Sequence, residues 1–301
     1  MRKYTRRNGL GLVLGAVVFT LQLGAAAYGD GTFFFSTGNP DGKIATLSRP
    51  ASPGLLETET ADDFFLSQPT QINSATFVGL VPLGTSLSSL SGARVEIEFY
   101  HIFPIDSTNP PSGNVPTRTN SPADVEIASA TRDSVAGQLS FTTTILNSTF
   151  TAANSVVNGI NKAPNQFTGG EGAVTGEEVE FDVSFTTPVT LLTDQHDFFR
   201  PEVGLAGGNF LWLSAPRPIV APGTPFPTTP TLIPDLQAWI RNADLVPDWL
   251  RIGTDITQQG PFNMTFSLSG TTVTPLPSSV FGGLVLLGGL ALWMRLRPAP
   301  A

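Results

Sequence analysis

Glu178-Val-Glu-Phe-Asp-Val-Ser-Phe185 decides the fold class. Charged and hydroxyl residues alternate there with Val179, Phe181, Val183 and Phe185, and a period of two is that of a strand with one apolar and one wet face. Arg94-Val-Glu-Ile-Glu-Phe-Tyr-His-Ile-Phe103 repeats the pattern, with Val95, Ile97, Phe99, His101 and Phe103 on one side and Glu96 and Glu98 on the other. Phe262-Asn-Met-Thr-Phe-Ser-Leu268 does so once more. Further strands are expected over residues 32–36, 63–66, 71–80, 125–131, 138–145, 198–205 and 210–214. About ten short strands separated by Gly, Pro, Ser and Asn clusters predict an all-β fold, an antiparallel β-sandwich for which a jelly roll is one fitting arrangement. Helical periodicity is nearly missing; its best instance is Asp235-Leu-Gln-Ala-Trp-Ile-Arg241, with Asp235 as N-cap.

Charge and cysteine content narrow the function classes. Residues 28 to 273 hold all 24 acidic residues and 10 of the 16 basic ones, a net charge of −14. Such a surface repels phosphate backbones, so nucleic acid is excluded as a partner. Divalent cations are the natural companions. The chain has no cysteine, and a body of about 246 residues buries enough surface to fold without disulfides. No low-complexity stretch divides this body, so a single domain over 28–273 is expected. Two proline-rich connections interrupt it, residues 105–124 and 216–234. Loops of that length are either functional or wrap open sheet edges.

The ends carry addresses. Residues 1–27 have a basic start (Arg2, Lys3, Arg6, Arg7), an apolar run from Leu10 to Leu23 and the exit Ala25-Ala26-Ala27, the layout of a secretory signal peptide cut after Ala27 by signal peptidase. The Arg6-Arg7 pair raises twin-arginine export beside the general route. At the other end, Pro275-Leu276-Pro277 precedes the uncharged run Val280 to Met294, which is closed by Arg295 and Arg297. As a helix that run would be about 22 Å long at ~1.5 Å per residue, short against a ~30 Å hydrocarbon core. Charge at both ends places everything between them outside the cytoplasm.

A proline triplet, an apolar segment and a terminal arginine cluster over 274–301 resemble the PEP-CTERM sorting signal of Gram-negative bacteria, with Leu276 where that signal has Glu. The resemblance implies cleavage near the triplet by a membrane-embedded exosortase, and then delivery to the cell surface or extracellular matrix of species that often make exopolysaccharide. Before processing, the domain would stand on the periplasmic side of the inner membrane. The body also looks like the extracellular β-domains that precede such tails, at residues 59–66, 210–217 and 248–253. That likeness implies no activity.

Catalytic constellations are sparse. His101 continues an apolar strand face, which points to an inward, hydrogen-bonded role. His196, beside Asp194 and Asp197, falls short of the three protein ligands of a catalytic zinc site. No Gly-x-Ser-x-Gly elbow supports a serine hydrolase. Asp62-Asp63, Glu177-Glu178 and Asp244 with Asp248 are the carboxylate pairs that a glycosidase would use. Neighbours on a strand diverge, however, so neither doublet can be a facing pair. Asp62 and Asp63, with a loop carbonyl, are candidate Ca²⁺ ligands, the alternative being a solvated acidic edge. Trp212, between Leu211 and Leu213, reads as core. Trp249, after Pro247-Asp248, is the candidate for stacking on a sugar. The expectation is therefore an exported, non-enzymatic cell-surface protein, with a carbohydrate-binding module as the second reading and a secreted hydrolase as the third.

Overall fold

A computed structural model describes residues 28–160, 167–192, 195–217 and 236–275. Fifteen strands run in order: β1 (Tyr28–Ser36), β2 (Ile44–Leu47), β3 (Thr58–Leu66), β4 (Thr70–Pro82), β5 (Arg94–His101), β6 (Arg132–Asp133), β7 (Leu139–Ala152), β8 (Asn154–Val156), β9 (Val174–Leu191), β10 (Gln195–Gly204), β11 (Leu211–Ala215), β12 (Trp239–Asn242), β13 (Leu250–Arg251), β14 (Asn263–Met264) and β15 (Phe266–Pro275). They form two sheets within one compact unit, Tyr28–Thr274. In the first, the long strand β4 pairs with β9 along one edge. Its other edge is shared by β15, from Thr70 to Phe77, and β11, at Gly79 and Leu80. Beyond these lie β7 outside β9, β1 outside β15, and β2 then β8 outside β11. The second sheet has the order β13-β12-β3-β10-β5-β6. All registered pairs are antiparallel except β2 with β8.

Period-two patterning decides which side chains meet between the sheets. Along β9, Val179, Phe181, Val183 and Phe185 are buried while Asp182 and Ser184 are exposed, as the sequence predicts. Phe181 stacks on Phe77 at 5.0 Å between ring centroids. Phe99 of the second sheet meets Phe185 at 6.5 Å, and Phe199 meets Phe266 at 5.1 Å and Trp212 at 5.9 Å. Gly79 is required beneath this layer, because a Cβ there would overlap the Phe210 ring.

Several expectations are corrected. Residues 239–242 form a strand, not a helix, because Trp239 and Arg241 pair with Ala61 and Glu59, and sheet partners outweigh a modest local helix preference; the proposed cap, Asp235, lies outside the described residues. Residues 125–131 turn instead of pairing, and only Arg132–Asp133 joins the sheet. The expected wet face of 262–268 is largely absent: Asn263 and Thr265 are buried. Thr265 sits where β4 changes partner from β15 to β11, and its hydroxyl contacts the Val78 and Leu213 carbonyls at 2.9 Å each. β15 runs on through residues 270–275, with Thr272 opposite Thr70 and Val273 buried.

Candidate functional site

The second sheet presents its other face to a layer of charge. Register places Glu59, Ala61 and Asp63 of β3, Glu96, Glu98 and Tyr100 of β5, Phe198, Arg200 and Glu202 of β10, and Trp239 and Arg241 of β12 on the side away from the aromatic core. Period two predicts water over Glu98, yet Glu98, Arg200, Glu202 and Arg241 are all buried. Arg200 stands at the centre, 2.8 Å from Glu59, 2.7 Å from Glu98 and 2.8 Å from Glu202. Its Nη1 approach to Glu202 is close but poorly aligned, an ion pair without a hydrogen bond. Arg241 grips Glu59 through Nε and Nη2, and lies 4.3 Å over the Trp249 ring. The Tyr100 hydroxyl is 2.9 Å from Glu59 and 2.6 Å from Glu98, so its one proton serves either carboxylate.

Two guanidinium groups face three carboxylates here, and protonation offsets the imbalance. Burial opposes ionisation of Glu59, but the charges of Arg200 and Arg241 outweigh it and hold the carboxyl down to about 2. Glu202 is pushed up to about 8, chiefly by burial; Arg200 pulls it back in part, and the neighbouring Glu59, Glu57 and Glu98 raise it further. Glu96 rises to about 7 through burial and its contacts with Glu98. Burial also raises the Tyr100 hydroxyl well above its ordinary value.

The proline-rich connection closes this end. Arg118 bonds Asp248 at 2.9 Å, Asp124 at 2.8 Å and the Pro122 carbonyl at 3.0 Å, with its guanidinium 4.6 Å over Phe103. Trp249 Nε1 donates to the Ala123 carbonyl at 3.0 Å, and Arg241 donates to the Asp124 carbonyl at 2.9 Å. Residues 105–124 are therefore a cover over the charged face.

The residues singled out from the sequence do not take the roles expected of them. Trp249 is fully buried against Tyr100 and Arg241, so it offers no face to a sugar ring; this overturns its assignment as a stacking platform. Asp62 and Asp63 are also fully buried, which removes both the calcium reading and the solvated edge. They point to opposite faces of β3: Asp62 accepts the Met264 N–H at 2.8 Å between the sheets, whereas Asp63 lies 2.9 Å from His196 Nε2 and accepts the Gln237 N–H. One ion cannot bridge them. Burial raises both carboxyls, Asp62 with help from Asp63 and Asp63 against the pull of His196. His101 bonds Asp106 at 2.6 Å, half-buried at the margin of the core face, and Trp212 is core. Among the described residues no three His, Cys, Asp or Glu side chains converge as a metal site would require. Ala25, Ala27, Asp194, Leu276, Pro277, Arg295 and Arg297 lie outside the described residues; Pro275 ends β15. Among the described residues no helix is long and apolar enough to cross a membrane.

Sequence reasoning missed Glu59, Arg118, Arg200 and Arg241, and offered Asp248 only as half of a glycosidase pair, whereas it is the buried partner of Arg118. A signal existed in Phe198-Phe199-Arg200-Pro201-Glu202-Val203 and Trp239-Ile240-Arg241, where charges sit inside otherwise apolar strands. No family model, curated protein or solved structure matches the chain. Fold and site define it as a two-sheet, all-β domain with a buried ionic layer.

Proposed function

We propose that this chain is an exported, non-enzymatic protein of the cell surface or extracellular matrix, built on a jelly-roll-like β-sandwich and processed at its C-terminus by an exosortase-type enzyme. The observation that carries the non-enzymatic part is the enclosure of the charged layer: Glu59, Arg200, Arg241, Arg118 and Asp248 are all buried and each is ion-paired with another buried group. A catalytic acid or base must reach substrate, and these groups are buried. Their arrangement fits a structural role, tying a long loop to a sheet in a chain with no cysteine. Export and processing rest on the sequence of the two ends. Intact-mass analysis of the protein from its native host tests them together, the expected species beginning at Tyr28 and ending near Pro275-Leu276-Pro277. A mature chain retaining Met1 or Arg297 would refute the processing scheme, and turnover of a glycan or peptide lost on Glu59→Gln substitution would refute the non-enzymatic reading.

A further inference from the structure

Arg49 is a buried cation with no counter-charge among the described residues. Its backbone is fixed by bonds to Thr58 in both directions, at 2.9 and 3.0 Å. Its guanidinium donates to two neutral acceptors only, Asn209 Oδ1 and the Leu56 carbonyl, while Nε is buried without a partner. Arg94, Arg118, Arg200, Arg241 and Arg251 each face a carboxylate, and Arg132 is capped by four carbonyl oxygens. Among the described residues no carboxylate lies within ion-pair distance of Arg49, which is 9% exposed, and desolvation lowers its pKa.

Arg49 lines an open cleft of about 600 Å³, inside the ~300–1,000 Å³ range of small-molecule sites. Two tight turns make the walls. In one, Ser52 and Leu55 exchange backbone bonds around Gly54; in the other, Leu205 pairs with Gly208 around Gly207. Both glycines have positive φ, +77° and +74°. Pro50, Leu55 and Leu205 give the cleft apolar surface, and Ser52 and the Gly207-Gly208 backbone give polar groups beside it.

We propose that this cleft binds a carboxylate-bearing ligand of monosaccharide size, a uronate being the simplest, with the carboxylate completing the charge of Arg49. A guanidinium fork pairs bidentately with a planar carboxylate, as it also can with phosphate. The body's charge of −14 repels a dianion more strongly than a monoanion, so phosphate is disfavoured, and a single buried guanidinium matches a single negative charge. Apolar walls suit the C–H face of a ring and the turn backbones suit its hydroxyls. The proposal stands independently of the sorting and processing scheme, because it concerns only residues 49–55 and 204–209.

The test is an NMR titration of the full chain with D-glucuronate, D-glucose and inorganic phosphate at constant ionic strength, reading the Ser52, Gly207 and Gly208 amides. Saturable shifts are expected with glucuronate, and none with glucose or phosphate at equal concentration. Arg49→Gln should abolish them. Because Arg49→Gln also removes two structural bonds, Leu55→Asp serves as the second variant: it leaves those bonds in place, sets a negative charge at the rim and should weaken binding by about tenfold or more. The proposal is overturned if glucuronate moves none of these amides, if glucose moves them equally, if phosphate binds more tightly than glucuronate, or if Leu55→Asp binds as the natural chain does.

Discussion

Asp197→Asn isolates the effect of a carboxyl in an apolar core. Asp197 lies on the core face of β10, opposite His101 on one side and Phe64 on the other, fully buried and with neither oxygen hydrogen-bonded. Burial alone pushes its carboxyl from 3.8 up to about 8. The folded chain therefore holds a proton that the unfolded chain releases above pH 3.8. Stability must fall as pH rises between those two values, by ~1.4 kcal/mol per unit for this group. From pH 4.5 to 7.5 the loss is at most about 4 kcal/mol, an upper bound because a charged core carboxylate draws in water. Asparagine is nearly isosteric with the protonated acid and never ionises. The variant's advantage over the natural chain should be about 2–4 kcal/mol larger at pH 7.5 than at pH 4.5, as measured by urea unfolding at both pH values. Glu202, raised to about 8, adds a slope of the same sign, so the variant's profile is flatter but not flat. An equal effect of the substitution at the two pH values would refute the reasoning, because it would show that Asp197 does not change protonation on folding.

The charged layer gives a prediction of opposite sign: Glu59, held down to about 2, contributes stability above its ordinary 4.5 that is lost as pH falls toward 2, so the domain should lose stability below pH 4 by acid titration followed with circular dichroism. Arg241→Met leaves the buried Glu59 carboxylate with only Arg200 and Tyr100 and should cost about 3–5 kcal/mol in urea unfolding, whereas pairing it with Glu59→Gln should recover a large part. Phe181→Ala, in the stack with Phe77, should cost about 3–5 kcal/mol, while Glu180→Ala on the wetter face of the same strand stays within about 0.5 kcal/mol; equal losses would show both faces of β9 to be core. Gly79→Ala should cost about 1–3 kcal/mol by forcing the Phe210 ring aside, read as a lowered unfolding midpoint.

The sequence by itself determined the fold class and much of the core. Residues 178–185 name their own inward side chains, because a strand alternates its faces whatever its neighbours are, and Leu211-Trp212-Leu213 is apolar on both sides and is buried on both. Local patterning could not say what lies over a strand's second face. Glu96 and Glu98 alternate as though wet, and only the tertiary structure sets Arg200 beside Glu98 and leaves Glu98 buried. Trp239-Ile240-Arg241 carries a helix-like local preference that its cross-strand pairing with β3 overrides. Asp62 and Asp63 look like an acidic edge as a doublet, and the tertiary structure alone sends one between the sheets and the other toward His196. The cleft at Arg49 is invisible in sequence for the same reason. An unpaired charge is defined by every group that does not come near it, and that is decided only when strands distant in the chain have packed.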